Sequence, residues 1–332
     1  YWIGSCIGNV SYWVLIKSTL GAFFPVFGDG NTLTAVLVAS VLVWAFHFLI
    51  LRGVQGAAGI NKIVTIAKIV PLLLFVVVLL FNFDGQIFYD NLWGGPETEK
   101  TFGSIWTQVR QTMLVTVFVF IGIEAASVYS RYAMKREDVG RATVIGFMIV
   151  TSLLVAVTVL SFGVLPREEI AAMRAPSVAG VLEAMVGPWG AMFISAGLIV
   201  SVLGAYLAWS LLAAEVPYLA AKYGLFPKYF EKTNEAKVPV NSLLLTNIVV
   251  QVFLIVTMFT TYAFQLALEL TSALTLIPYL LVAAYALKLA YTGETYEKDA
   301  SARNKELVIA GIATAYSILM IYSGGLKYIL LS

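Results

Sequence analysis

The stretch Phe118–Arg131, FVFIGIEAASVYSR, decides how the chain is read. Seven of its first eight residues are apolar or glycine, as a buried or membrane helix requires. The exception is Glu124, a carboxylate two residues after Gly122. Glycine loosens a helix, and an ionised side chain in an apolar medium costs free energy. An interrupted helix reconciles the two, because a bilayer tolerates freed N–H and C=O groups only where they line a cavity. The stretch therefore predicts a break at Gly122 with Glu124 beside a polar pocket. That carboxylate can bind a cationic group or take a proton. The alternative is a hydrogen-bond strut between helices.

Composition sets the class around this segment. Hydrophobic residues make up 60% of the 332, charged residues 12%, and the mean hydropathy is +0.88. A soluble domain is nearer 45–50% apolar and about 25% charged, so the chain reads as an all-α integral membrane protein in the lipid bilayer. A net charge of +2 is too small to suggest nucleic acid. One cysteine, Cys6, excludes a disulfide within the chain, and the single histidine, His47, argues against a Cys/His metal site. No metal and no cofactor are expected.

A membrane helix needs about 20 mainly apolar residues. Nine stretches qualify: 1–24, 33–51, 63–83, 111–130, 142–164, 188–214, 241–260, 263–287 and 307–326, with a stub after Lys327. All lie in one transporter domain, 1–332, expected to be truncated at both ends. Alternate loops carry 14 Lys and Arg on one side and only Lys100, Arg167 and Arg174 on the other. The positive-inside rule makes the first set cytoplasmic, so the span 1–24 runs outward. The outward segment 176–187, PSVAGVLEAMVG, reads as a short lid helix. The inward loop 216–242, punctuated by Pro217, Pro227 and Pro239, reads as holding a short helix along the membrane surface.

Polar groups inside a bilayer are costly and face the bundle interior. The candidates are Lys17, His47, Lys68, Glu124 and Glu269, with Asn9 as a neutral one. Lys17, His47 and Glu269 lie toward helix ends, and snorkelling or structural pairing accounts for them. Glu124 at mid-span is too short to snorkel. Lys68, three residues before the kinking Pro71, either snorkels or holds the place of a bound metal cation. Trp209 is either an interfacial tryptophan or a cavity wall that stacks on a cation. Thr271, Ser272 and Thr275 either satisfy backbone locally or offer hydroxyls to a ligand.

CIGNV at 6–10, FIGIEAASVYSR at 120–131, KREDVGRAT at 135–143, PSVAGVLEAMVGPWGA at 176–191, VSVLGAYLAWSLLAAE at 200–215, YGLFPKYF at 223–230 and LTLIPYL at 274–280 resemble one family. It is the basic amino acid/polyamine antiporters of the amino acid–polyamine–organocation superfamily, with the arginine/ornithine antiporters nearest. The resemblance implies a twelve-helix inverted-repeat transporter, of which this chain is a fragment lacking the first two helices and most of the last. It implies a multi-pass protein of the cytoplasmic membrane that is not an enzyme and exchanges small cationic amino acids by alternating access. A homodimer is compatible with it.

Related arginine/agmatine antiporters imply roles residue by residue. Asn9 matches an asparagine that hydrogen-bonds the substrate, and Tyr12 takes a nearby pocket position. Phe118 matches an aromatic gate, with Phe in place of Trp. Ile121 matches an apolar wall, and Glu124 a glutamate of coupling and pH response. Trp209 matches an inner aromatic wall, and Thr271 or Ser272 a hydroxyl position. Lys68 resembles a lysine that replaces sodium in some members, and Gly122 is the gating break. Two alternatives stand beside exchange: proton-coupled symport of an amino acid or polyamine on the same scaffold, and a channel or intramembrane enzyme. The enzyme lacks its usual groups, since there is one His and every Asp falls in a loop.

Overall fold

The computed structural model describes residues 1–53, 57–92, 99–123, 136–260, 262–294 and 300–329. Thirteen α-helices are formed by these residues. They are α1 (Trp2–Phe23), α2 (Leu33–Leu51), α3 (Ala57–Phe81), α4 (Gly85–Leu92), α5 (Phe102–Phe120), α6 (Arg136–Ser161), α7 (Arg167–Ala172), α8 (Ser177–Val186), α9 (Pro188–Lys222), α10 (Val240–Val256), α11 (Ala263–Thr292), α12 (Ala300–Met320) and α13 (Leu326–Ile329). Among the described residues no strand forms beyond an isolated bridge between Thr233 and Pro239. Seven of the described helices are long and apolar enough to cross a membrane.

Local chemistry sets several boundaries. The Thr32 hydroxyl accepts from the Ala35 N–H at 3.2 Å and caps the start of α2. Pro188 opens α9, where its missing N–H costs nothing. Gly293, at φ +78°, closes α11. The expected span 188–214 lies in a longer helix that runs on to Lys222 through Pro217. The segment before α10 folds as a 3-10 turn, Lys228–Glu231. The segment expected as a lid helix contains α8.

The chain divides into two compact units. One comprises 1–8, 106–121 and 262–332; the other comprises 9–105 and 122–261. In the first, α5, α11 and α12 bury Leu114, Val117, Leu276 and Met320 together. A five-residue π turn, Ile321–Gly325, joins α12 to α13. There Gly324 packs on Leu114, and the Arg110 Nε donates to the Ser323 carbonyl at 2.5 Å. In the second unit Phe75, Leu79, Val164, Val181, Leu182 and Ile194 form one core. Ile50, Leu207, Ala214, Val238 and Leu243 form another.

Helices α3 and α9 approach closely because α9 presents glycine to α3. A methyl group at Gly197 would lie 2.5 Å from Pro71 Cγ and 2.9 Å from the Ala67 carbonyl oxygen. At Gly204 it would lie 2.3 Å from a Val64 methyl. Overpacking of this kind costs about 1–3 kcal/mol. The variant Gly197→Ala should therefore unfold at a lower temperature than the parent protein in detergent. An unchanged midpoint would show that the two helices part freely there.

Candidate functional site

The break at Gly122 is the first element of the site. Helix α5 ends at Phe120, and a turn occupies 121–123. The Ile121 N–H reaches both the Val117 and Phe118 carbonyls at 3.2 Å, so the last turn tightens as it ends. Gly122 then adopts φ +109°, a conformation that a side chain would strain. It also has no room for one: a methyl group would lie 2.9 Å from Trp209 Cζ2. Torsion and close approach thus both require glycine. The indole of Trp209, on α9, lies against this turn at the end of α5.

In the same unit, α1 contributes Asn9 and Tyr12, three residues apart and so on neighbouring parts of one helix face. Asn9 is fully buried, yet neither its amide oxygen nor its amide nitrogen has a hydrogen-bond partner. Tyr12 is half-buried. An unsatisfied buried polar group costs about 1–3 kcal/mol, and such groups in native proteins call for an explanation such as a ligand or water. Within this unit the indole N–H of Trp13 and the hydroxyls of Thr151 and Ser210 share this state.

The helices α1 and α9 meet at two places. Thr19, Ala22 and Phe23 of α1 line one cavity with Pro188, Ala191 and Ser195 of α9. Farther along, the Trp13 and Tyr206 rings meet with centroids 4.8 Å apart. The two helices therefore run antiparallel. Ser210 is the residue next to Trp209 on α9. Sequence reading singled out Asn9 and Trp209 and missed Trp13 and Ser210. The available signal was their one-turn spacing from Asn9 and from Tyr206.

Lys68 lies elsewhere in this unit. Its side chain is exposed and lines a cavity of about 280 Å³ between α3 and α9, with Pro71, Gly197, Leu198 and Ser201 among the walls. The walls are mainly apolar.

In the other unit, Phe118 and Ile121 are half-buried at the end of α5. Thr271 and Ser272 are buried on α11 and differ in one respect. The Ser272 hydroxyl bonds to the Leu114 carbonyl at 2.8 Å and to the Leu268 carbonyl at 2.9 Å. The Thr271 hydroxyl has no partner and lies beside Gly8, whose methyl position would be 3.6 Å from it. Of the two hydroxyls that the resemblance left open, Thr271 has the unspent one, and Ser272 ties α5 to α11.

The remaining ionisable candidates are paired within the protein. Lys17 is 1% exposed, and its ammonium donates to the Thr257 hydroxyl at 2.9 Å. His47 is buried beside the Asn247 amide. Glu269 accepts from Gln265 at 2.9 Å and from the Tyr328 hydroxyl. Glu124 lies outside the described residues. Among the described residues no group of three or more His, Cys, Asp or Glu could hold a metal ion.

The sequence profile of the family described as amino acid permease matches residues 1–326. The arginine/ornithine antiporter of Pseudomonas aeruginosa is 53% identical over 338 residues, covering all of this chain and 70% of that protein. The arginine/ornithine antiporter of Latilactobacillus sakei is 38% identical over 331 residues, covering all of this chain and 69% of its own length. The arginine/agmatine antiporter of Chlamydia pneumoniae is 40% identical over 336 residues, with the same coverages. A profile match along nearly the whole chain, with relatives of this identity over its full length, leaves one assignment: the chain belongs to the amino acid permease family.

Proposed function

We propose that the protein exchanges arginine for ornithine across the cytoplasmic membrane by alternating access. The observation that carries this is the helix break at Gly122, seated against Trp209. The unspent amide of Asn9 supports it. So do the names of the relatives, which are arginine/ornithine and arginine/agmatine antiporters rather than enzymes. The frame is the twelve-helix inverted repeat, with the sixth span broken at Gly122.

Each residue has its own part in this proposal. Trp209 offers an aromatic face to a cation, and a flat guanidinium stacks on such a face better than a compact ammonium does. Asn9 supplies a donor and an acceptor at no cost to the fold, because neither is used within it. Thr271 supplies a hydroxyl in the same state. Phe118 and Ile121 give the end of α5 an apolar surface that excludes water, with Tyr12 beside Asn9 on α1. Glu124 favours a cationic ligand and links the site to the inner gate. Lys68 contributes a fixed positive charge where other transporters hold sodium.

Electrostatics makes one-for-one exchange sensible. Moving one net charge across the membrane costs or yields about 2.3 kcal/mol per 100 mV. Arginine and ornithine each carry one positive charge at neutral pH, so a swap moves none, and concentration gradients alone set its direction. The intact protein in vesicles should therefore take up labelled arginine when ornithine is inside and not when the vesicles are empty. Its initial rate should not change with an imposed potential. Uptake into empty vesicles driven by a proton gradient would replace this reading with symport.

Substitutions separate the individual roles. Trp209→Leu removes a cation–π contact of about 0.5–2 kcal/mol and should raise the KM for arginine about 2- to 30-fold. Asn9→Ala removes a hydrogen bond to a charged group, about 1.5–3 kcal/mol, and should raise it about 10- to 100-fold. An unchanged KM in either variant would remove that residue from the site.

A further inference from the structure

We propose that the buried hydrogen-bond chain Tyr206–Asn247–His47 is a specificity device: it fixes the rotation of α9, and so the tilt of the Trp209 ring that distinguishes a guanidinium from an ammonium. The inference rests on the exchange reading above. It assigns positioning roles to three residues that do not themselves touch the ligand.

The chain crosses three helices. The Tyr206 hydroxyl on α9 donates to the Asn247 Oδ1 on α10 at 3.3 Å. The Asn247 amide nitrogen lies 2.9 Å from His47 Nδ1 on α2. An amide nitrogen only donates, so His47 Nδ1 is the acceptor and the ring carries its hydrogen on Nε2. Tyr206 and Asn247 are fully buried, and His47 nearly so. One turn away, Gln251 repeats the link between α10 and α2. Its Oε1 accepts from the Trp44 indole at 3.2 Å, and its amide donates to the Ser40 hydroxyl at 2.8 Å. Two polar rungs thus hold α10 to α2, and one of them continues to α9.

The Tyr206 ring is fixed as firmly as its hydroxyl. It sits edge-on to Trp13, and to Phe46 with centroids 5.6 Å apart. Helix α9 is therefore pinned in rotation at this level. Trp209 follows Tyr206 by three residues, about 60° round the same helix. A roll of about 15° at a side-chain radius of about 6 Å would carry it roughly 1.6 Å. That shift would change how the indole sits over the Gly122 backbone, where the missing side chain lets it approach. Stacking of a planar guanidinium depends on ring tilt, whereas a compact ammonium is less sensitive to it. Loosening the chain should therefore weaken arginine more than ornithine.

Three variants test this in the intact protein, with half-inhibition constants for arginine and ornithine measured in the same vesicles and thermal midpoints measured beside them. Tyr206→Phe removes one oxygen and keeps the ring. His47→Leu removes the acceptor for Asn247, and His47→Gln can restore one. The arginine-over-ornithine preference should fall at least threefold in Tyr206→Phe and His47→Leu and stay within twofold of the parent in His47→Gln. If both constants move by one factor, or if His47→Gln matches His47→Leu, the chain is scaffold only and the inference is overturned. Should His47→Leu not fold, Tyr206→Phe decides alone. A parent protein that exchanges neither ligand would overturn the exchange reading itself. A parent that exchanges both, with an unmoved preference in the variants, overturns only this one.

Discussion

The structure depends on one constraint: a helix in an apolar medium does not end without a residue that accepts the turn. At Ile121 the backbone closes its last turn, and at Gly122 it swings to φ +109°. Only glycine takes that torsion easily. The consequence reaches beyond the backbone. With no side chain at Gly122, the indole of Trp209 comes against the main chain at the break. Aromatic wall and helix break are thus one arrangement, and a change at either position disturbs both.

Among the described residues the buried and half-buried polar side chains discussed above divide into two kinds. Lys17 with Thr257, His47 with Asn247, and Glu269 with Gln265 and Tyr328 are paired across or along helices. A polar group buried at helix–helix contacts must be satisfied, and once satisfied it orients the helices that carry it. Asn9, Trp13, Ser210 and Thr271 are buried without a partner. Cost decides the reading of each kind: a paired group stabilises the fold, and an unpaired one costs stability that a ligand or a water recovers. Thr271 and Ser272 show how local the division is. They are adjacent in sequence, and the roughly 100° between them on the helix gives one hydroxyl a carbonyl on α5 and leaves the other unspent.

The class of the protein and the break at Gly122 were legible because both are local. Composition needs no fold, and a glycine followed by a carboxylate in an apolar run is visible within eight residues. The polar chain behind Trp209 was not legible. Tyr206 and Asn247 are 41 positions apart, and Asn247 and His47 are 200 apart. Periodicity reports which face of a helix is apolar and says nothing about its partner. His47 was visible as an oddity, but its neutral partners, Asn and Tyr, resemble ordinary residues of membrane helices. Charge also hid the true start of α5. Arg110 marks the end of a loop in the sequence, whereas in the fold the π turn at Ile321–Gly325 offers it the Ser323 carbonyl, so it lies inside the helix.

The neutrality of the unpartnered groups bears on exchange. An exchanger must bind two cations of different shape and release both. A buried ion pair is hard to break, because parting leaves a charge uncompensated in a low dielectric. Amide, hydroxyl and indole groups carry dipoles or a π face rather than a net charge, and each contributes modestly. Binding built from such groups can be strong enough to select a cation and weak enough to let it leave. In the proposed exchange, Glu124 is a single acid beside otherwise neutral groups: it would favour positive charge, while shape discrimination would fall to the ring of Trp209.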